Sequence, residues 1–225
     1  MEKIKVLAQG RQIDVEIYAP QTKGEAPGIL YLHELIGLQN CYRDDAQELA
    51  DKGYLVYLPD MYTDGAARYC IRAMVMEAGR KNRSHHGPNL EVHDLLDSLK
   101  GDARCNGRLG MIGQCLTGGF VLHMAKRPDM HAPVIYHHSL GLEGTGVPKG
   151  ESLNEIKLLQ GHWARRDPFC PAKRREALIN ELGDRVEAHV YDRPHSFRSF
   201  MRDSEHSIKA WERTLDFFER QLKAA

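Results

Sequence analysis

Short apolar segments alternate with helical segments along this chain, and the alternation constrains its fold more than any other feature. The apolar segments have the length of buried strands and cover 28–34, 54–62, 109–112, 132–138, 156–162 and 186–192. Segments whose apolar residues have helical spacing lie between these strands and after the last one. They cover 43–53, 66–79, 90–100, 115–126, 171–183 and 204–222. Two more short strands, 3–8 and 13–19, precede them and are joined by the turn QGRQ. The pattern predicts an α/β fold, a mostly parallel central sheet with helices on both faces.

Length and charge narrow the classes of protein. The 225 residues suit one domain over 1–225. Lys plus Arg and Asp plus Glu both number 31, so a nucleic-acid surface is not expected. No apolar run approaches the roughly 18 residues of a membrane-spanning helix, and the first residues lack the apolar core of a signal peptide. We therefore expect a cytoplasmic protein without a membrane or nucleic-acid partner.

The five cysteines are widely spaced, at positions 41, 70, 105, 115 and 170. Their odd number and the absence of a C-x-x-C pair argue against a disulfide framework and a structural zinc site. At least one thiol is therefore expected to be free. The histidine pairs at 85–86 and 137–138 show no metal-ligand spacing and are interpreted as loop and strand-end residues. We predict neither a metal nor a cofactor.

The segment GMIGQCLTGGF places Cys115 between a strand and a helix, among glycines. One interpretation is a buried cysteine beside packing glycines, because cysteine is among the most buried residue types. The other is a nucleophile elbow, which needs small residues on both sides of the reactive side chain. In that case the backbone N–H groups of Leu116 and, after the third strand, Leu35 would bind a developing oxyanion.

Reactive side chains follow the ends of other predicted strands, where α/β sheets form their sites. Asp167 and His195 each lie a short loop beyond a strand, and Glu34 ends the third strand. Cysteine, aspartate and histidine occur in the chain order of an α/β-hydrolase nucleophile, acid and base. A histidine can take the thiol proton while a carboxylate fixes its tautomer. Alone, Asp167 could be a turn residue before proline and His195 a packed loop histidine, and chemistry leaves Glu34 ambiguous.

These segments resemble the dienelactone hydrolases, a branch of the α/β-hydrolases with a cysteine nucleophile. LHELIGLQNCYRDDAQELADKGYLVYLPDMY, GMIGQCLTGG, GHWARRDPFCP and YDRPHSF resemble four motifs of that family in the same order. The resemblance implies that Cys115 is the nucleophile, Asp167 the acid and His195 the base. It also implies that Glu34 holds or accepts the thiol proton before attack.

The chain departs from the family pattern at two places. Thr117 stands where the family elbow commonly has glycine, so the pocket or the turn is expected to differ. Ser199 stands where the family tends to have an arginine that grips a substrate carboxylate, and Arg198 sits one residue earlier. Arg198, together with Arg68 or Arg72 from the segment after the fourth strand, is therefore a candidate for carboxylate binding.

The sequence thus predicts a cysteine hydrolase that cleaves a lactone or small activated ester through a thioester. A thiolate leaves too easily to expel an amine, so esters and lactones are favoured over amides. The alternatives are a general small-ester or thioester hydrolase, and a non-catalytic or redox-sensing relative that uses the same pocket. The expected partner is a small-molecule substrate, and the expected assembly is a monomer or small homo-oligomer.

Overall fold

The computed structural model describes residues 1–63, 65, 88–138 and 151–223. These described residues form eight strands: β1 (Glu2–Ala8), β2 (Arg11–Tyr18), β3 (Ala26–Tyr31), β4 (Leu55–Asp60), β5 (Cys105–Cys115), β6 (Met130–His138), β7 (Leu159–Arg166) and β8 (Val186–Pro194). The α-helices are α1 (Asn40–Asp51), α2 (Pro88–Lys100), α3 (Gly118–Met124), α4 (Glu151–Asn154), α5 (Ala172–Leu182), α6 (Phe197–Phe200) and α7 (Glu205–Phe218). A 3₁₀ turn over Gly183–Arg185 and a π-helical turn over Glu219–Lys223 complete them.

The strands form one sheet in the order β1-β2-β4-β3-β5-β6-β7-β8. Strands β3 to β8 run parallel to one another, and β2 runs antiparallel to both of its neighbours, β1 and β4. The predicted mostly parallel α/β sheet is therefore confirmed. The β1–β2 turn is tighter than QGRQ, because Gln9 and Gly10 both have positive φ and close a two-residue hairpin loop.

Two apolar cores lie on the opposite faces of the sheet, as the alternation of side chains along β3 illustrates. Leu30 belongs to the core covered by α2, α3 and α5, whereas Ile29 and Tyr31 belong to the core covered by α1 and α7. All six residues of β3 are buried. A strand covered on both faces needs this continuous apolar sequence.

Most strands end at positions that differ from the sequence prediction, and three of these differences, in β3, β7 and β8, move residues of the candidate site relative to their strands. Strand β7 continues to Arg166 and β8 to Pro194, because the two strands pair with each other up to their last residues. The polar residues at these ends gave no strand signal. Asp167 and His195 consequently follow their strands directly rather than after loops. Strand β3 ends early, at Tyr31, so Glu34 lies in the following loop.

The helices also differ in detail from the prediction. Helix α3 begins at Gly118 rather than at residue 115, and α7 begins after Ser204, whose side chain accepts a hydrogen bond from the Ser207 N–H. The helix predicted over 66–79 lies outside the described residues. None of the described helices is long and apolar enough to cross a membrane.

Candidate active site

Cys115 lies at a sharp turn between β5 and α3. Its φ of 54° is a left-handed conformation that non-glycine residues seldom adopt. The turn brings the next residues back against the strand, so a Cβ on Gly113 would lie 2.4 Å from the Thr117 carbonyl oxygen and 2.6 Å from Val121 Cγ2. A Cβ on Gly118 would lie 3.0 Å from the His137 carbonyl oxygen. Glycine at 113 is therefore required by the close approach of strand and helix, the geometry of a nucleophile elbow.

Thr117, where the sequence departs from the family pattern, stabilises this turn. Its hydroxyl accepts the backbone N–H of Gln114 at 2.9 Å and donates to the Gln114 carbonyl at 3.0 Å. The side chain is buried, with 1% exposed. The β-branched residue therefore folds back onto the turn that carries Cys115.

Asp167 and His195 are joined by a hydrogen bond of 2.7 Å between Oδ2 and Nδ1. The other carboxylate oxygen, Oδ1, accepts the backbone N–H groups of Phe169 at 2.8 Å and Cys170 at 2.9 Å. Burial opposes ionisation of Asp167, but the bond to His195 and the nearby imidazoles outweigh it and lower the pKa of the carboxyl. A fixed carboxylate thus holds the proton on Nδ1 of His195.

The imidazole of His195 is placed to exchange a proton with Cys115. Burial lowers its pKa, but the Asp167 hydrogen bond and the nearby Cys115 sulfur more than compensate and raise the pKa to about 9. Its second nitrogen, Nε2, forms no hydrogen bond of ordinary geometry within the described parts of the chain. The structure therefore brings together three residues that the sequence predicted to act in one site.

Glu34 lies beside His195 but is bonded to other groups. Its carboxylate accepts hydrogen bonds from the Ser196 hydroxyl and, at 3.3 Å, from the Tyr42 hydroxyl. The side chain is buried, and no hydrogen bond joins it to Cys115 in the parts of the chain that are described. The network fixes the carboxylate next to the imidazole rather than on the thiol.

The two backbone N–H groups predicted to bind an oxyanion have no hydrogen-bond acceptor among the described residues. The N–H groups of Leu35 and Leu116 donate no hydrogen bond to another described residue. The Leu35 carbonyl accepts the Tyr62 hydroxyl at 3.0 Å, which anchors the loop that carries this donor. The turn at Cys115 and the loop after β3 thus each carry one N–H group without a partner among the described residues.

Arg198, a sequence candidate for binding a substrate carboxylate, is instead bound to another residue of the protein. Only 4% of it is exposed, and its guanidinium binds Asp45 at 2.6 Å and lies over the Trp211 ring at 4.7 Å. Arg202 binds the same carboxylate at 2.7 Å. A buried carboxylate requires such cations, so the expectation that Arg198 is free to bind a substrate carboxylate is wrong. Arg68 and Arg72 lie outside the described residues.

Three residues near the site were not predicted to act there: His137, Phe169 and Ser196. The His137 and His195 rings lie 4.1 Å apart between centroids, and the Phe169 ring lies 4.9 Å from His195. Ser196 connects the histidine segment to Glu34 through its hydroxyl. The position of His137 at the end of a central parallel strand was the one available signal, and no local motif distinguished it from His138.

Glu34, His137 and His195 also present ligand atoms that lie within 4.8 Å of one another. Two imidazoles and a carboxylate at such distances could hold a transition metal ion. The Glu34 carboxylate accepts hydrogen bonds from Ser196 and Tyr42, His137 Nε2 accepts one from Ser196, and His195 Nδ1 is bonded to Asp167. We interpret the cluster as a hydrogen-bonded network, and the sequence prediction of a site without metal stands as a prediction.

Comparison with known proteins gives consistent matches over nearly the whole chain. The model of the dienelactone hydrolase family matches residues 13–222. A carboxymethylenebutenolidase of Rhodococcus opacus is 27% identical over 220 residues, which cover 92% of this chain and 86% of the relative. For a carboxymethylenebutenolidase of Pseudomonas putida the identity is 26%, with 87% and 86% covered. The crystal structure of a dienelactone hydrolase-like promiscuous phosphotriesterase from metagenomic libraries has the same fold, with a TM-score of 0.80 at 19% identity and 98% of both chains covered.

Proposed function

The chain belongs to the dienelactone hydrolase family of α/β-hydrolases, and we propose that it hydrolyses a lactone or small activated ester through a thioester formed on Cys115. One observation carries the proposal. The imidazole of His195 is bonded to the buried Asp167 carboxylate at 2.7 Å and lies beside the sulfur of a cysteine at an elbow. A nucleophile, a base and an orienting acid are the parts that acyl transfer needs.

The first half of the reaction acylates the thiol. In the form of the enzyme with a neutral imidazole, Nε2 of His195 takes the proton of Cys115 while the sulfur attacks the ester carbonyl carbon, and Asp167 stabilises the imidazolium that forms. The oxyanion of the tetrahedral intermediate accepts hydrogen bonds from the N–H groups of Leu35 and Leu116. Cleavage of the carbon–oxygen bond leaves a thioester, and the departing oxygen takes the proton from His195. With a lactone, the departing oxygen stays attached to the acyl chain.

The second half restores the enzyme. His195 takes a proton from water as the water oxygen attacks the thioester carbon. Collapse of this second intermediate releases the carboxylic acid and the Cys115 sulfur, which recovers its proton from His195. Every proton is exchanged between substrate, water and the side chains of the site, so no cofactor is needed.

For Glu34 we propose the role of a carboxylate held in a fixed position beside the imidazole of His195. Its hydrogen bonds to Ser196 and Tyr42 hold the carboxylate without bringing it into contact with the thiol. The proton-holding role that the resemblance implies thus requires Cys115 to turn toward Glu34 before substrate binds.

The substrate is proposed to be a lactone or ester of small size, and an acidic group on it is not required by the described residues. Arg198 is committed to Asp45, and Ser199 contacts the Tyr42 hydroxyl at 3.2 Å. Arg68 remains the sequence candidate for binding a carboxylate. A general small-ester or thioester hydrolase is the second candidate function, favoured by the exposed Phe169 ring beside His195, of which 52% is accessible. A redox sensor would need only the thiol, so the buried Asp167–His195 pair argues against it.

Mass spectrometry of the acylated enzyme tests the proposal. Wild-type protein is mixed with p-nitrophenyl acetate and with a panel of acidic and neutral lactones, quenched within one turnover and digested. We expect the acyl mass on Cys115, and no turnover in Cys115→Ala. Cys41→Ala is the matched control because Cys41 lies in α1, and it should keep full activity. Turnover that survives Cys115→Ala would refute the assignment.

A further inference from the structure

His137 is a buried titratable residue beside the site that the proposed reaction does not use. It lies at the carboxyl end of β6, has no exposed surface, and has a φ of 37°. A positive φ in a non-glycine residue costs free energy and is often found where function requires a fixed geometry. Its ring packs on that of His195, with centroids 4.1 Å apart and planes inclined by 51°.

The hydrogen bond of His137 identifies its tautomer. Nε2 accepts the backbone N–H of Ser196 at 3.2 Å, so this nitrogen carries no proton. A neutral ring must then carry its proton on Nδ1. Burial above all, and then the charge of His195, drive the pKa of His137 well below its ordinary value, while Asp167 opposes them and His138 adds a smaller effect. Burial and the hydrogen bond from Ser196 thus both favour the neutral ring with Nε2 as the acceptor.

His137 binds the backbone N–H of Ser196, the residue that follows His195. Ser196 has a left-handed backbone, with φ 56° and ψ 26°, and its hydroxyl donates to Glu34. The N–H of such a residue needs an acceptor when buried, and His137 Nε2 supplies it. One hydrogen bond thus fixes the backbone between the imidazole of His195 and the Glu34 carboxylate.

We propose that His137 is a positioning residue that sets the orientation of His195 between Asp167 and Cys115. Its Nε2 fixes the Ser196 turn, and its ring restricts rotation of the neighbouring imidazole. The inference rests on the proposed function for its effect on turnover. Its effect on the state of the Cys115–His195 pair is measurable without any substrate.

Two substitutions separate the contributions of the ring and of its nitrogen. His137→Phe keeps an aromatic ring without the acceptor, and His137→Gln keeps an acceptor near the place of Nε2 without the ring. His162→Gln is the matched control, because His162 is equally buried and packs on Tyr136 at 4.6 Å but makes no ring contact with His195. The control is expected to change stability and leave turnover unchanged.

The expected result is a loss of kcat with little change in KM. We expect His137→Phe to lower kcat for p-nitrophenyl acetate by about 10- to 100-fold, because small displacements of a catalytic group have effects of this size. His137→Gln should recover most of this loss. The midpoint of the pH dependence of Cys115 alkylation by iodoacetamide should shift in His137→Phe and remain that of wild type in His162→Gln.

The outcomes distinguish this proposal from the proposed function. If the wild-type enzyme hydrolyses no ester, the proposed function fails, and the alkylation profile still decides the role of His137. If both His137 variants keep the kcat and the alkylation profile of wild type, the inference is overturned. It is also overturned if His162→Gln loses as much kcat as His137→Phe. A test without substitution uses ¹⁵N NMR of the wild-type imidazoles. Protonated Nδ1 and unprotonated Nε2 on His137 support the inference, and the reverse tautomer refutes it.

Discussion

Replacing Asp167 by asparagine isolates what the carboxylate does for His195. Two backbone N–H groups, of Phe169 and Cys170, bond to Oδ1, so the amide oxygen of asparagine is expected to take that place. The amide NH₂ then faces Nδ1 of His195, where the carboxylate Oδ2 now lies at 2.7 Å. A donor in that place requires an unprotonated Nδ1 and moves the imidazole proton to Nε2. That tautomer cannot accept the proton of Cys115.

The size of the effect follows from the pKa of His195. Its rise from 6.5 to about 9 makes the imidazolium more stable by about 3 kcal/mol, since a tenfold change in a protonation equilibrium is about 1.4 kcal/mol. Asp167 and Cys115 share this stabilisation. A hydrogen bond to a charged group contributes about 1.5–3 kcal/mol. We therefore expect Asp167→Asn to lower the pKa of His195 to about 7–8 and kcat/KM by about 10- to 100-fold, or more where the tautomer changes completely.

Histidine NMR over pH gives the pKa and tautomer of His195, and aryl ester hydrolysis gives kcat/KM. A raised native pKa stabilises the fold fully below about pH 6.5, and the stabilisation is lost as the pH rises through about 9. The difference in unfolding free energy between wild type and Asp167→Asn should therefore shrink from pH 6 to pH 10. Asp102→Asn is the control, a carboxylate that bonds Arg104 and Tyr57. A His195 pKa that stays near 9 in Asp167→Asn, with unchanged kcat/KM, would refute the reasoning.

Further substitutions test the remaining residues of the site. Glu34→Gln should slow acylation more than deacylation in burst kinetics, and equal slowing of both steps would contradict its proposed role. Arg198→Ala should lower the unfolding free energy in urea by about 3 kcal/mol, the low end for a broken buried ion pair because Arg202 still binds Asp45. Its KM for acidic and neutral substrates should stay equal to that of wild type, and a selective rise for acidic lactones would restore the original expectation. Phe169→Ala should raise KM for aryl esters about 5- to 20-fold, because its half-exposed ring packs beside His195. An unchanged KM would remove Phe169 from the substrate pocket.

The sequence by itself determined the fold class and the elements that carry the site. Strand and helix periodicities are local, and a parallel sheet requires the helices that separate its strands. The elbow is local as well, since Gly113, Cys115 and Gly118 must fit one tight turn. The chain order of Cys115, Asp167 and His195 then follows from residues at strand ends. These features could be read because each depends on neighbours within a few residues.

Only the tertiary structure decided where the longer side chains go. Arg198 lies three residues from His195, yet it turns away to Asp45 in α1, because a buried carboxylate there needs a cation. The last residues of β7 and β8 are charged residues and a proline, and pairing between the two strands extended them to the residues just before Asp167 and His195. His137 meets His195 and Ser196 across about sixty residues of sequence. Contacts of this kind leave no local pattern, because they depend on which strand ends the sheet places side by side.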